Sequence, residues 1–245
     1  MKKVLLFALL TTMCVACKNE LADVFPSEKV KSVHLIDRYV RWDKINLTPY
    51  SDSERKIINV YFEDEAPCND IVSKEYAAVW NKSPKQSYIV STEGFDELAE
   101  KHNDVGYDWE VLVVYDISHE AADVIYCHVA LERGLKKIEI VSDSDFDKEH
   151  PAGKSLNDVV KFYGYNYSQY LTSNVNKKNV DIENTHLGYF EKMCNELTES
   201  DLKILGNFVA VEFMKKPTLA KNQKLTITVT DIDGEVYSNT VEVKF

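Results

Sequence analysis

The sequence predicts a mainly β fold, an immunoglobulin-like β-sandwich that carries a few short helices. Three observations predict it. Short runs rich in β-branched and aromatic residues recur along the chain, bounded by polar residues or Pro. The C-terminal twenty or so residues alternate apolar and polar side chains in the two-residue period of a half-buried hairpin. The composition is that of a packed chain: 245 residues, 44% apolar and 28% charged, with only 8 Gly and 6 Pro. That balance excludes collagen-like, low-complexity and disordered classes. The length suffices to bury a core without metals or disulfides.

The N-terminus reads as an export signal over residues 1–16. Lys2 and Lys3 form a positive start, residues 4–15 are an apolar run, and small Ala16 precedes Cys17. The run ends at Lys18, too short for the roughly 20 apolar residues that span a bilayer as a helix. Residues 17–32 are mixed and polar, with Pro26, and are expected to act as a flexible tether. The body, 33–245, shows no internal repeat and no long linker; a soft division is expected near 104–107.

Within the body, strands are expected at 56–62, 76–80, 87–91, 110–116, 137–141 and 207–214. Two helices are expected. Phe95, Leu98, Ala99 and His102 fall at i, i+3, i+4 and i+7, and Leu187, Phe190, Met193, Cys194 and Leu197 share a helical face. His102 reads as the rim of its stripe. The segment 118–134 fits a helix capped by Ser118 and stopped by Gly134, or a buried strand, with the helix preferred. His128 inside it reads as a hydrogen-bonded core histidine.

At the C-terminus the register can be worked out. A two-residue Asp233-Gly234 turn would set Val229 opposite Ser238 and Leu225 opposite Glu242. A three-residue loop, Ile232-Asp233-Gly234, sets Val229 opposite Tyr237 and Leu225 opposite Val241. The second keeps apolar groups together, and it requires Gly234 in the left-handed region, where Gly carries little penalty. A hairpin with one buried face is typical of the closing strands of an immunoglobulin-like sandwich.

Two stretches resemble known families. Cys14-Val15-Ala16-Cys17 resembles the lipobox of bacterial lipoproteins, with Cys14 where Leu is usual. The resemblance implies thioether-linked lipid on Cys17, and two or more acyl chains anchor firmly because each buried methylene adds about 0.8 kcal/mol. The other reading of the same residues is an ordinary secretory cut near Ala16 that leaves Cys17 a free thiol. Farther along, Lys137-Ile138-Glu139-Ile140, Asp145-Phe146-Asp147, His150-Pro151-Ala152-Gly153, Ser155-Leu156-Asn157-Asp158 and Lys216-Pro217-Thr218, with the terminal hairpin, are similar to an uncharacterised family of bacterial envelope lipoproteins. That resemblance implies no activity. Lipidation of Cys17 leaves Cys68, Cys127 and Cys194, whose spacing matches no zinc pattern; Cys127 and Cys194 read as buried inert thiols, one disulfide with a spare thiol being the other option.

Three constellations bear on function. Asp143, Asp145 and Asp147 alternate as at the opening of a calcium loop, but Lys148 replaces the needed Gly and Lys154 the bidentate Glu, so they are weak metal candidates and a solvated turn is expected. Tyr163, Tyr165 and Tyr167 would project from one side of an extended strand as a stacking platform for sugars, with Asn166 and Gln169 as hydrogen-bond donors; the other reading has these rings filling a sandwich face. No G-x-S-x-G, H-E-x-x-H, P-loop or G-x-G-x-x-G occurs, so no catalytic residue is assigned and no cofactor is expected.

Charge removes one class of partner. A net charge of −11 repels a phosphate backbone, so nucleic acid is not an expected partner. The functional expectation is a lipid-anchored module of the bacterial cell envelope, at the outer membrane, whose task is binding or interaction, with glycans or another envelope protein as partners. The alternatives are a glycan-processing hydrolase built on a carboxylate pair and a structural or assembly component of the envelope.

Overall fold

The computed structural model describes residues 27–245 apart from 52–54, 65–69, 81–90, 117–120, 126–127, 183 and 185. The signal, Cys17, Cys68, Cys127 and most of the strand expected at 87–91 lie outside the described residues.

The expected mainly β architecture is observed. Five strands form one layer of a sandwich in the order β3 (Lys44–Ser51), β4 (Lys56–Glu63), β12 (Leu205–Phe213), β10 (Val160–Asn166) and β11 (Tyr189–Met193). Facing it is a three-stranded sheet of β14 (Val236–Lys244), β13 (Asn222–Asp231) and β9 (Leu135–Ser142). Alternation drives the packing. Val209, Val211 and Phe213 of β12 and Leu225, Ile227 and Val229 of β13 all point into one shared core, with Phe146 and Phe162. Each such side chain, fully buried, contributes roughly 1.5–3 kcal/mol.

The terminal hairpin has the expected register: Val229 faces Tyr237 and Leu225 faces Val241. Gly234 sits at φ 93°, the left-handed conformation the three-residue loop requires.

A second core adjoins the first. The N-terminal half of β12 leaves β4 and meets β8 (Val129–Leu131), which runs parallel to β2 (Arg38–Val40); β2 in turn pairs with β5 (Ile71–Val72). Helices α1 (Lys74–Trp80) and α2 (Phe95–Lys101) contribute Tyr76, Ala77, Phe95 and Ala99 to this core. A further sheet orders β1 (Ser27–Ser32), β6 (Trp109–Asp116) and β7 (Ala121–Ile125).

Several expectations need correction. Residues 27–32, expected within the tether, form β1 against β6. Asp104 and Tyr107, placed at a soft division, are buried in the second core, which draws on residues from both sides of them. Residues 76–80 are helical because Ser73 caps them: its Oγ accepts the Tyr76 N–H at 3.1 Å. The aromatic, β-branched run concealed that cap. Segment 118–134 holds strands β7 and β8, not a helix. Residues 189–193 are a strand because they complete the edge of β10, and pairing overrides an accidental helical spacing. Cys194 is buried, as expected, and burial pushes its thiol up to about 12.

Candidate functional site

Among the described residues, the outer face of the five-stranded layer gathers candidate binding residues. β10 lies between β11 and β12, so its register decides what that face displays. Phe162 and Gly164 are buried toward the core, while Lys161, Tyr163 and Tyr165 point outward. Tyr189 and Glu191 of β11 pair with Tyr165 and Tyr163; Ala210 and Glu212 of β12 pair with Tyr163 and Lys161. Phe208 shares their parity. On β4 the same parity belongs to Asn59, which pairs with Ala210, and to Tyr61.

The aromatic members form a row across the strands. Ring centroids of Tyr165 and Tyr189 lie 5.8 Å apart, and those of Tyr165 and Phe208 6.5 Å apart. His186 stands 6.3 Å beyond Tyr189. On the other flank Tyr61 is next in register after the Val60–Val209 pair. Exposure of 42% for Tyr61, 40% for Phe208 and 37% for Tyr189 marks these as rings open to solvent on a sheet that could have buried them. Adjacent rings meet at 64° and 65°, so the row is stepped, not flat. Phe208 and Tyr189 stand two strands, roughly 10 Å, apart with Tyr165 between them, so an extended ligand could contact both rings.

Two local features hold the row. A Cβ on Gly206 would meet the Cβ of Tyr165 at 2.9 Å, so the bare glycine lets that ring lie over β12. Tyr163 donates its hydroxyl to Glu212, and Lys161 lies 3.3 Å from Glu191. Burial and then the Glu212 hydrogen bond push the Tyr163 phenol up; burial does the same for Tyr165 and Tyr189. The three rings are neutral hydrogen-bonding groups at any physiological pH.

The structure brings together only part of the expected platform. Tyr163 and Tyr165 belong to it. Tyr167 does not: the chain leaves β10 for a 3-10 turn at Ser168–Tyr170, and Tyr167 is buried with its ring 5.7 Å from His128. Asn166 is spent internally, donating to the carbonyls of Ser200 and Asp201 at 2.8 and 2.9 Å and accepting the Ser168 N–H at 2.7 Å. Gln169 is exposed on that turn, off the sheet. Phe208, Tyr61 and Tyr189 were not singled out from sequence. Parity within 207–214 would have placed Phe208 opposite in sense to Val209, Val211 and Phe213; Tyr189 was hidden by the helix assignment.

The aspartates of 143–147 organise their own loop. Asp145 accepts the Ala152 N–H at 2.8 Å, and Asp143 accepts the Ser144 hydroxyl at 2.9 Å. Asp147 accepts the Glu149 and His150 N–H groups at 2.8 and 2.9 Å and the His150 Nδ1 at 2.7 Å. His150 Nε2 lies 2.9 Å from Asp158. With a carboxylate on each ring nitrogen, His150 is set up as an imidazolium: burial lowers its pKa, and the hydrogen bonds and charges of Asp147 and Asp158 together raise it further than burial lowers it. Among the described residues no group of three or more His, Cys, Asp or Glu is placed to hold a metal ion.

A second polar group lies inside the second core. Asp37 and Asp104 are 1% and 0% exposed. Asp104 accepts the N–H groups of Leu35 and Ile36 at 2.6 and 3.0 Å, and burial raises it to about 6. Among the described residues neither carboxylate oxygen of Asp37 has a close hydrogen-bond partner; burial, followed by the charge of Asp104, holds it well above the carboxylate range against the opposing pull of the His128 backbone N–H. His128, expected to be hydrogen-bonded, has no partner at Nδ1 among the described residues, and its ring packs between Trp109 and Tyr167. This carboxylate pair is sealed from solvent, so in this conformation no sugar chain reaches it.

No protein-family model matches the chain, and no curated protein matches it.

Proposed function

We propose that this protein is a lipid-anchored module of the bacterial cell envelope, held at the outer membrane through acyl groups on Cys17, that binds glycan chains on the outer face of its five-stranded layer. The anchor reading rests on the signal-like residues 1–16 and on the likeness of 14–17 to a lipobox. The binding reading rests on one observation: the exposed rings of Tyr61, Phe208 and Tyr189 stand in a row across the sheet, with the half-buried Tyr165, which also packs against the second core, stepped between the last two. Such rings offer apolar faces to the C–H faces of pyranose units, while Tyr hydroxyls, Asn59 and Glu212 meet the sugar hydroxyls at the edges. Strand-borne side chains keep this spacing without a ligand, so little ordering entropy opposes binding.

Retention of the whole chain in gels containing soluble polysaccharide tests the reading. Phe208→Ala and Tyr189→Ala each remove one exposed ring, and each is expected to weaken retention by about fivefold to tenfold, the worth of one aromatic contact. Both variants should keep their unfolding midpoint, since exposed substitutions shift stability by about 0.5 kcal/mol or less. Unchanged retention in both variants, or no retention of the parent chain on neutral or acidic polysaccharides, defeats the proposal. Capture of a protein by this face without any glycan binding defeats it equally.

A further inference from the structure

The charge arrangement on the same face narrows the class of glycan, an inference that rests on the glycan-binding reading above. Glu212 stands on β12 beside Tyr163 and Lys161, and the next pair in that row, Tyr163 with Glu191, adds a second carboxylate. Lys161 is the nearby cation, and it is engaged with Glu191 at 3.3 Å. Glu212 takes only the Tyr163 hydroxyl, on one of its two oxygens, and has no cationic partner among the described residues. Its other oxygen is an acceptor fixed at the border of the aromatic row. Glu63, also outward by parity on β4, accepts from Asn46 at 2.5 Å and stands opposite Lys44 on β3, so its charge is offset and Glu212 is the carboxylate that sets the selectivity. The whole chain carries −11.

We infer that the face selects uncharged, hydroxyl-rich polysaccharide and rejects uronate- or sulfate-bearing chains. A neutral pyranose brings hydroxyl donors, which are what a free carboxylate oxygen accepts, and a charge-assisted bond of this kind is stronger than one between neutral groups. A uronate brings a second negative charge to within a few ångströms of Glu212. Like charges at that separation repel even at high effective dielectric, by an amount equal to about a fivefold or larger loss of affinity. The carboxylate therefore acts as a filter as well as an acceptor, while the rings supply affinity that is indifferent to charge.

The experiment measures affinity of the full chain for a panel of neutral polysaccharides (β-glucan, xylan, mannan) and for polygalacturonate, at low and at high salt. Binding to at least one neutral polymer, with polygalacturonate at least fivefold weaker and the gap narrowing in salt, is the expected result. Glu212→Gln keeps an acceptor for Tyr163 and removes the charge, and it should narrow the neutral-to-acidic ratio several-fold. Equal or tighter binding of polygalacturonate overturns the selectivity while leaving glycan binding intact. A ratio unmoved by Glu212→Gln also overturns it, since the discrimination then has another source. No binding to any member of the panel overturns the underlying reading instead.

Discussion

Asp37→Asn tests whether the buried Asp37–Asp104 pair holds a proton that the unfolded chain releases. In the folded protein neither Asp37 oxygen has a close hydrogen-bond partner among the described residues, and burial outweighs the nearby His128 backbone N–H to hold its pKa well above the 3.8 of an exposed aspartate. The folded state therefore keeps a proton that the unfolded chain releases once pH passes 3.8, and stability falls as pH rises between the unfolded and folded pKa values. One proton is worth about 1.4 kcal/mol per pH unit. Asp104, raised to about 6, acts in the same sense up to that pH, whereas His102 and His128, both lowered by burial to about 4, act oppositely between pH 4 and their unfolded value of 6.5. These terms cancel in large part, so the parent profile alone reveals little. The difference between parent and Asp37→Asn removes the histidine contributions and reports Asp37 together with the change it imposes on its neighbour Asp104. Urea unfolding at pH 4.5, 5.5, 6.5 and 7.5 should show the variant gaining on the parent by about 1.4 kcal/mol for each unit, until the folded pKa is reached. Parallel stability profiles across the whole range would refute the argument, because Asp37 would then carry no displaced proton.

Two further perturbations probe the links between layers. Arg133 stacks on Trp42 and Tyr237 at 5.0 and 5.7 Å and donates to the buried Asp231 at 2.9 Å, joining the terminal hairpin to the rest of the sandwich. Arg133→Ala should cost about 3 kcal/mol in urea unfolding, and Arg133→Lys should restore less than half of it because an ammonium cannot fork or stack. His150 has a raised folded pKa, so its contribution is complete below pH 6.5 and disappears as pH climbs through the folded value. The melting temperature of His150→Gln should therefore lie below that of the parent at pH 6 and approach it at pH 9; an equal gap at both pH values would contradict the imidazolium clamp.

How far the fold could be read from sequence depended on whether local pattern and tertiary environment agreed. The C-terminal hairpin was legible down to its register, because strict alternation and one Gly at the loop leave a single pairing that buries Leu225, Ile227 and Val229 together. The stretch 189–193 was not, since its strand exists only as an edge for β10, and no local signal outweighs apolar spacing that happens to suit a helix. The same is true of β8, a three-residue strand held by a distant parallel partner. For the site, alternation located Tyr163 and Tyr165 on one face. It failed at Tyr167, where a 3-10 turn ends the period, and it could not foresee which residues of β11 and β12 would stand beside them. Asp37 gave no sign in sequence of being buried, because its burial comes from helices and loops packed over β2.

The central claim is that glycans lie across the outer row of rings. Hydrogen exchange of the whole chain with and without a saturating neutral polysaccharide tests it most directly. The account predicts slowed exchange in 161–165, 189–191 and 208–212, with the loop 143–158 unchanged. Protection concentrated in that loop, or none on the β10, β11 and β12 segments while the polysaccharide is bound, would contradict it.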